Sequence, residues 1–457
     1  MSQRDQLKND AIEIWRSGVA AVDARKLTFD NVAWSKDELR IGTEMFSIPE
    51  IDRLIVIGFG KASGAMAVGF EQALGERLFD TFEVSGLVNV PSDQTFETQS
   101  IKIQGCRPAG HNFPTEEVVA STTQILELVA SAGPNDIVVC LISGGGSALL
   151  EKPIAPITLD EVCTTSKFLS ESGASIFELN AVRRVISDVK GGRLGLHSGG
   201  APVVSLIVSD VVGDDLEIIA SGPTVVSNKT LPAIDVLNKF DPQRESIPAT
   251  VWAAGAAAPT GDVQLPWGLE ITNCVIGNID TAMNAASEKA RELGYAVERS
   301  QPSANEGDAA LVGQGVAAQI LQSNGSVQSE CQIAGGETTV QLATASGQGG
   351  RNQHLVLAAA QTLLSDPTKC GHRFCLLSGG TDGEDGNVSV AGAWVDSDWV
   401  DSHSNGEAAK IMDELKQARD TFDSHRFLAE YGLVFDAPGT STNVGDLRIV
   451  LKQPVDA

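Results

Sequence analysis

The sequence predicts a two-domain α/β protein whose first half forms a parallel, doubly wound sheet. The chain has 457 residues, more than one hydrophobic core usually accommodates. Strand-like, loop and helix-like segments repeat in that order through the first half, which is typical of parallel sheets. Aromatic residues make up only 5% of the chain, whereas glycine occurs 46 times, as expected for layered helices and strands joined by tight turns.

Hydrophobic periodicity places the elements of the first half. Residues 3–24 carry an apolar residue on every turn of one helical face, which predicts an amphipathic helix. The segment IVVCLI at 137–142 is uninterrupted, as expected for a strand covered on both faces. The predicted strands of the first half are 54–57, 86–90, 137–142 and 203–208, and helices are predicted at 62–74 and 125–130.

The segment 240–252 contains two prolines and several polar residues, in contrast to the apolar strands before it, and we place the domain boundary there. The first predicted domain covers 1–245 and the second covers 246–457, with the last segment free to pack back on the first domain. The second half has its own predicted elements, strands at 271–276, 331–342, 373–377 and 447–451 and helices at 280–293 and 353–364.

The charge of the chain limits the partners it can bind. The formal net charge is −26, from 33 Lys and Arg against 59 Asp and Glu. Such a field repels nucleic acid and anionic membranes, so an anion site must be built locally from backbone N–H groups and a few cations. No apolar run reaches the length of a membrane span, and the amino terminus lacks an apolar signal core. We expect a cytoplasmic protein with small-molecule partners, and a homo-oligomer is left open.

Glycine-rich loops that follow apolar strands are the candidate phosphate sites. Glycine lets backbone N–H groups approach an anion without an intervening side chain. Each loop alone could be only a tight turn, but several on one sheet edge favour phosphate binding. The candidate residues are Gly58 and Gly60 after the first strand and Ser143, Gly144, Gly145, Gly146 and Ser147 after the strand at 137–142.

The first of these loops differs from two known nucleotide motifs. It cannot be a Walker A loop, because Ile55 occupies the position of the leading glycine. The spacing is close to the dinucleotide fingerprint, but the next strand ends at Asn89-Val90-Pro91, and the first acidic residue, Asp93, comes only beyond the proline, too late to hold a ribose. A nicotinamide-dinucleotide site is weakened by this and stays open.

Charged side chains near the loops suggest phosphoryl transfer. Asp210 ends the apolar strand 203–208, where a carboxylate can hold Mg²⁺ or orient a hydroxyl, or can simply cap a turn. Arg183 and Lys190 belong to a basic cluster that is either a solvated helix face or a local cation patch. Lys61 and Arg351 each lie among glycines, and cations there suit the charge that spreads over a transferring phosphoryl group.

Taken in order, these motifs resemble one family, the glycerate 2-kinases of the MOFRL type, over about residues 5–452. The matching segments of the first half are IGFGKASGAMA, PAGHNFPTEE, LISGGGSALL, SGASIFELNAVRRVISDVKGGRL and IVSDVVGDDLEIIASGPT. Those of the second half are IAGGETTV, GQGGRNQHLVLAAA, LLSGGTDGEDG, AGAWVD and GTSTNVGDL. Asn112 and Gly445 depart from the usual family pattern.

The resemblance implies a Rossmann-like first domain, a smaller MOFRL domain and a cleft between them in which ATP and Mg²⁺ phosphorylate D-glycerate to 2-phosphoglycerate. It implies catalytic roles for Lys61, Asp210 and Arg351. Substrate contacts are predicted for Asn180, Arg183 and Lys190, and metal contacts for Asp210, Glu337 and Asp382. Two alternatives stay open, an NAD(P)H-dependent hydroxypyruvate reductase and a non-catalytic sensor of sugar acids or nucleotides.

Overall fold

The chain divides into two compact units in the computed structural model. The parallel-sheet unit is Ala24–Ile276, and the mixed-sheet unit combines Met1–Asp23 with Gly277–Ala457. The structure describes residues 3–108, 111–226, 231–258, 268–303, 306–322, 328–340, 347–366, 372–404, 406, 408–437 and 439–454. Among these residues, no helix is both long enough and apolar enough to cross a bilayer.

The helices and strands are numbered in chain order. The helices are α1 (Gln3–Ala21), α2 (Ala24–Asp30), α3 (Ser63–Phe79), α4 (Glu116–Ala130), α5 (Leu159–Glu171), α6 (Ile176–Ile186), α7 (Arg193–Leu196), α8 (Ala233–Phe240), α9 (Ala249–Ala257), α10 (Ile279–Glu292), α11 (Ala309–Gln322), α12 (Arg351–Ser365), α13 (Ser397–His403), α14 (Ala408–Asp420) and α15 (Ser424–Glu430). The strands are β1 (Val32–Trp34), β2 (Glu38–Ile41), β3 (Glu44–Ser47), β4 (Arg53–Phe59), β5 (Glu83–Pro91), β6 (Ile101–Arg107), β7 (Ile137–Ser143), β8 (Val203–Val208), β9 (Ile271–Gly277), β10 (Ala296–Arg299), β11 (Glu330–Gly336), β12 (His372–Gly380), β13 (Gly392–Asp396), β14 (Val434–Phe435) and β15 (Asp446–Pro454).

The parallel-sheet unit contains the predicted doubly wound sheet. Its six strands lie in the order β6-β5-β4-β7-β8-β9, which is 3-2-1-4-5-6 by position in the chain, the order of a Rossmann sheet. The pairs from β6 to β8 are parallel, and every residue of β7 is buried. A strand buried on both faces needs apolar residues throughout, which explains its continuous apolar run. The prediction of fold class is confirmed.

Two further parts of this unit were not predicted from the sequence. Strands β1, β2 and β3 form a small antiparallel sheet. Helices α5, α6, α8 and α9 pack around an apolar core of their own, which includes Leu169, Val182, Leu237 and Trp252. In the chain, α5 and α6 lie between β7 and β8, and α8 and α9 lie between β8 and β9.

The mixed-sheet unit has a sheet in the order β10-β11-β15-β12-β13-β14. Strands β10 and β11 are parallel, and the pairs β11–β15, β15–β12, β12–β13 and β13–β14 are antiparallel. Helix α1 belongs to this unit, and the indole of its Trp15 packs against the mixed sheet. Trp15 Nε1 donates a hydrogen bond to Gly379 O at 3.2 Å, and its ring meets Phe435 edge-on at 4.8 Å.

The two units differ from the predicted domains at three places. The segment 271–276, predicted as a strand of the second domain, is β9 of the parallel sheet, and Val203 N–H donates to Glu270 O beside it at 2.9 Å. The chain therefore leaves this unit after Ile276, not at residue 245. The last strand, β15, lies between β11 and β12 of the mixed sheet, so it completes its own unit. The amino-terminal helix joins that unit as well.

Most individual elements agree with the hydrophobic pattern. The predicted strands at 54–57, 86–90, 137–142 and 203–208 correspond to β4, β5, β7 and β8. In the second half, β12 and β15 and helices α10 and α12 lie where they were predicted. The strand predicted at 331–342 is shorter, because β11 ends at Gly336, and residues 341–342 lie outside the described part of the chain.

Candidate functional site

The carboxyl ends of β4 and β7 lie at the point where the strand order of the parallel sheet reverses. β4 is the first strand of this sheet in the chain, and its neighbours β5 and β7 extend the sheet in opposite directions. Ligands bind at such switch points in open α/β sheets, because the loops that leave the adjacent strands diverge there and open a crevice. Both predicted phosphate loops begin at this place.

The structure joins these two loops by direct hydrogen bonds. Lys61 N–H donates to Gly144 O at 2.9 Å, and Ala62 N–H donates to Ser143 Oγ at 2.9 Å. Gly60 has a φ of 137°, and a Cβ at this position would overlap Ser143. Glycine is therefore required at position 60, both for its backbone conformation and for the close approach of the second loop.

The loop after β7 exposes backbone beside a lysine. Gly145 adopts a left-handed conformation with φ of 77° and precedes a short 3₁₀ helix, Gly146–Ala148. A side chain on Gly146 would come within 2.9 Å of Ala220 Cβ, whereas a Cβ on Gly145 would lie 3.5 Å from Lys61 Cγ. The Lys61 side chain thus passes beside Gly145, where a cation and backbone N–H groups together can bind a phosphate.

Asp210 lies at the same edge of the sheet, one strand further on. Ser143 pairs in register with Val208, so Asp210 is two residues beyond that row. Its side chain is half-buried. Asp215, in the same loop, accepts the N–H of Glu217 on Oδ1 at 2.9 Å, which is a turn-capping role. The catalytic or metal-binding role of Asp210 stays a prediction.

Lys190 has a different environment from the one predicted. Its ammonium is fully buried and donates to Ser147 O at 2.9 Å and Leu150 O at 3.0 Å, and it pairs with the buried Glu151 carboxylate at 2.9 Å. Burial lowers the pKa of Lys190, and Glu151 opposes that effect. An ammonium has three hydrogens, so all are directed to protein oxygens. Lys190 holds the glycine loop instead of facing the substrate.

We expect Lys190→Met to reduce the free energy of unfolding by about 3–5 kcal/mol, because Glu151 would remain as a buried carboxylate without its cation. Adding Glu151→Leu should restore most of this loss. Lys167→Ala is the matched control, because the Lys167–Glu171 pair is exposed and 3.9 Å apart. It should cost less than about 1 kcal/mol. Urea denaturation followed by circular dichroism measures the free energy of unfolding of the natural protein and of the three variants. A loss for Lys190→Met as small as that of the control would contradict this role.

Asn180 and Arg183, the other two predicted substrate contacts, both lie on α6, but their side chains have different surroundings. Asn180 is 3% exposed and lines a cavity of about 110 Å³, together with Arg184 and Glu217. Arg183 instead directs Nε to Ser166 Oγ on α5 at 3.5 Å, and burial lowers its pKa. The residue facing this cavity is therefore the next arginine, Arg184, whose Nη1 donates to Glu217 at 2.9 Å.

In the mixed-sheet unit, three glycine-containing motifs meet at one end of the sheet. Asp446, the first residue of β15, pairs in register with Gly336 at the end of β11 and with Gly380 at the end of β12. Glu337 and Asp382 follow these strands directly or within two residues. The antiparallel position of β15 explains why its first residue meets the last residues of two neighbours.

Arg351 points at this end of the sheet from the first turn of α12. Its Nε and Nη2 donate to the two carboxylate oxygens of Asp446 at 2.6 and 3.0 Å, and Nη2 also donates to Glu337 at 2.9 Å. Burial alone would lower the pKa of Arg351, but Asp446 and Glu337 raise it above its usual value. The guanidinium is therefore a permanent cation in a fixed orientation, and its side chain is still 34% exposed.

A buried carboxylate positions the helix that carries Arg351. Asp385 Oδ1 accepts the backbone N–H of Asn352 at 3.0 Å, and Oδ2 accepts that of Gln353 at 2.8 Å. Burial raises the pKa of Asp385 to about 6, against the effect of these donors. A side chain on Gly350 would collide with Asp385, so the glycines before Arg351 permit this contact. The motifs GQGGRNQ and TDGEDG thus form one structural unit.

The predicted metal residues do not form a ready-made metal cage. In the described ranges, no group of three or more His, Cys, Asp or Glu side chains is arranged to hold a metal ion. Asp210, Glu337 and Asp382 nevertheless carry the carboxylate oxygens that Mg²⁺ prefers. Mg²⁺ that arrives with a nucleotide needs only one or two carboxylates beside the phosphate oxygens, so the donor chemistry fits.

Sequence reasoning missed four residues that shape these sites, Glu151, Ser221, Asp385 and Asp446. Ser221 and Asp446 lie in two of the family motifs, within ASGPT and TNVGDL, but the residue types in those motifs do not show what these side chains contact. Asp385 offered the clearest signal, because an acidic residue between two glycines in GEDG is suited to capping a nearby helix.

The chain is similar to known families and proteins over nearly its whole length. Residues 10–254 match a family described as a domain of unknown function, DUF4147, and residues 330–446 match the MOFRL family. The chain is 33% identical to a glycerate kinase of Rattus norvegicus, over 98% of this chain and 94% of that protein. It is 32% identical to the D-glycerate 2-kinase of Thermotoga maritima, over 99% and 100% of the two chains. The crystal structure of a Thermotoga maritima glycerate kinase superimposes with a TM-score of 0.76 at 31% identity, covering 98% of this chain and 99% of that one.

Proposed function

Because this chain belongs to the family of glycerate kinases that carry a MOFRL domain, we propose that it is a phosphotransferase that moves the γ-phosphoryl group of ATP to the 2-hydroxyl of D-glycerate. The product would be 2-phosphoglycerate. The substrates are then small molecules. The cytoplasmic location and a homo-oligomeric state stay predictions from the sequence.

One observation carries the proposal from the structure itself. The glycine loops after β4 and β7 are bonded to each other at the switch point of the parallel sheet, and Lys61 lies beside them. A protein with a charge of −26 repels a triphosphate, so it needs such a local group of amides and a cation to bind one. This is the reason for assigning the nucleotide phosphates to Gly58, Gly60 and Ser143–Ser147.

The remaining roles follow from chemistry and from the family motifs. Asp210, at the same sheet edge, would orient the acceptor hydroxyl, and Asn180 would contact the acceptor from its cavity. Lys61 and Arg351 would neutralise charge that develops on the transferring group. Mg²⁺ held by Asp210, Glu337 or Asp382 would screen the phosphates when the nucleotide is bound. Positioning and electrostatics supply most of the rate in such reactions.

The reductase alternative is disfavoured by the end of β5. A dinucleotide site uses an acidic residue there to hold the ribose hydroxyls. The last three residues of β5, Asn89-Val90-Pro91, include no carboxylate, and Asn89 is fully buried and already bonded within the protein. Its Nδ2 donates to Leu149 O at 2.9 Å, and its Oδ1 accepts from Ser121 Oγ at 2.5 Å. This amide stabilises the glycine loop after β7 and is not directed at a ligand.

Phosphorus NMR of the product tests the proposal directly. We expect D-glycerate, ATP and Mg²⁺ to give a phosphate resonance coupled to the hydrogen on carbon 2. A resonance coupled to the methylene of carbon 3 would contradict the regiochemistry alone. Oxidation of NADH by hydroxypyruvate with no phosphorylated product would support the reductase. Tight binding of ADP without turnover of any hydroxy acid would support the sensor.

A further inference from the structure

A strained turn lies beside the glycine loop that follows β7. Ala220, Ser221 and Gly222 are consecutive residues with left-handed backbone, at φ of 51°, 64° and 62°. Glycine adopts this conformation freely, but alanine and serine do so at a cost in free energy. Non-glycine residues in such conformations cluster at functional sites, where the surrounding structure enforces them. Two of them in succession call for an explanation.

The neighbouring loop holds this turn through backbone hydrogen bonds. Gly191 N–H donates to Ser221 O at 3.1 Å, and Gly192 N–H donates to Gly222 O at 2.7 Å. Gly192 is itself left-handed, with φ of 85°, and a side chain there would come within 2.6 Å of Val226. The segment that contains Lys190 therefore fixes both the strained turn and the glycine loop.

The result of this strain is the position of one hydroxyl group. Ser221 is fully buried, and its Oγ donates to Asn180 Oδ1 at 2.9 Å. The same Oγ lies 2.9 Å from Ser147 Oγ, the last residue of the glycine loop. A serine hydroxyl has a single hydrogen. With the Asn180 amide oriented so that its Oδ1 faces Ser221, the Ser221 hydrogen goes to Asn180, and Ser147 donates its own hydrogen to Ser221.

This polarity changes what Ser147 can do. With its hydrogen turned toward Ser221, the Ser147 oxygen offers only lone pairs on its other side. Such an oxygen cannot donate to a phosphate, but it can accept from a hydroxyl group or bind a divalent cation. The side chain of Ser147 is therefore directed at a positively polarised group, whereas the amides of its loop are left for the anion.

We propose that Ser221 is a positioning residue for phosphoryl transfer, which orients the Ser147 hydroxyl so that its lone pairs face either the nucleotide-bound metal ion or the acceptor hydroxyl. The inference rests on the proposed function. It explains why a serine is kept in a conformation that favours glycine, since a glycine there would relieve the strain and lose the hydroxyl.

Ser221→Gly and Ala220→Gly form a matched pair for the test. Ala220→Gly relieves a left-handed residue and should raise the melting temperature by about 2 °C. Ser221→Gly relieves the same kind of strain but removes two buried hydrogen bonds, so its melting temperature should fall by a few degrees while the protein still folds. Ser221→Gly should lower kcat by about tenfold to a hundredfold, whereas Ala220→Gly should stay within about twofold of the natural protein. Equal losses in the two variants, or no loss in either, would overturn the proposal.

A double-mutant cycle with Ser147→Ala tests whether Ser221 acts through Ser147. If it does, Ser221→Gly should change kcat by less than about twofold in the Ser147→Ala background. Independent, multiplying losses would contradict the proposal. A higher Mg²⁺ requirement in Ser221→Gly would identify the metal as the group that Ser147 faces, and a higher KM for D-glycerate would identify the acceptor. Turnover by the unmodified protein is measured first, so failure of the proposed function is recognised separately.

Discussion

Replacing Arg351 by alanine should lower kcat for glycerate phosphorylation by about 10³ or more, the largest effect we expect from one substitution. The guanidinium is a permanent cation whose Nε and Nη2 are fixed by both oxygens of Asp446. Cations prealigned with the charge of a transferring phosphoryl group stabilise the transition state more than the ground state. The loss should therefore appear in kcat more than in the KM for ATP.

Arg351→Lys separates charge from geometry. A lysine keeps the positive charge but cannot reproduce the two parallel hydrogen bonds to Asp446 or the third bond to Glu337. We expect this variant to recover only part of the activity, about tenfold above the alanine variant. Full recovery would mean that charge alone matters and that the orientation set by Asp446 has no role.

The alanine variant needs a control for folding, because Asp446 is only 7% exposed. Removing its arginine leaves a nearly buried carboxylate without a partner, which destabilises the unit. Asp446→Asn removes that charge and keeps Arg351. The double variant Arg351→Ala with Asp446→Asn should then be more stable than Arg351→Ala and equally inactive. An Arg351→Ala protein that retains activity within tenfold of the natural protein would rule out the role.

The parallel sheet could be predicted from the sequence because strands that are buried on both faces consist of consecutive apolar residues. The strand β7 is buried at every residue, so its sequence is an uninterrupted apolar run. Strand β8 matches its predicted bounds, 203–208, for the same reason. The glycine loops after β4 and β7 could be recognised as well, because a Cβ at Gly60 would overlap Ser143 and a Cβ at Gly146 would crowd Ala220.

The division into units could not be predicted, because it depends on contacts between distant parts of the chain. Periodicity shows that α1 has an apolar face, but not which sheet this face covers. Its Trp15 bonds to Gly379, 364 residues later in the chain. Likewise, the strand β9 has ordinary strand composition, and only its pairing next to β8 assigns it to the parallel sheet. Local patterns carry no information about such pairings.

The place of a side chain could be predicted where the order of strands and loops determines it. It could not be predicted where packing against distant residues determines it. Lys61 follows a strand and a glycine, so its place beside the second loop follows from topology. Lys190 also lies next to glycines in the sequence, but it is fully buried and pairs with Glu151, a residue that no local sequence pattern connects to it. Arg183 and Arg184 are adjacent in sequence, and only the packing of α6 decides which of them faces the cavity.

The second large effect is expected for Asp210→Asn, which should lower kcat by about 10²–10⁴. The substitution keeps the size of the side chain and removes its charge. Asp210 is half-buried two residues beyond the row that joins Ser143 and Val208, beside the loop assigned to the phosphates. A carboxylate in that position can orient the acceptor hydroxyl or hold the metal, and both roles require its negative charge.

Asp215→Asn is the control for this substitution. Asp215 lies in the same loop and uses Oδ1 to accept the N–H of Glu217, a bond that an asparagine oxygen also accepts. This variant should retain kcat within about twofold, and both variants should melt near the temperature of the natural protein. If Asp215→Asn loses as much activity as Asp210→Asn, the loop as a whole matters and not the carboxylate of Asp210.

The dependence on Mg²⁺ then decides between the two roles of Asp210. If Asp210 holds the metal, Asp210→Asn should need a higher Mg²⁺ concentration for half-maximal activity, and saturating Mg²⁺ should restore part of kcat. If Asp210 orients the acceptor, the Mg²⁺ requirement should stay unchanged while kcat remains low at every concentration. Orientation of the hydroxyl is a requirement of the reaction itself, so no excess of metal or ATP can replace it. Steady-state assays over a range of Mg²⁺ at saturating D-glycerate measure the difference, and full activity of Asp210→Asn would exclude both roles.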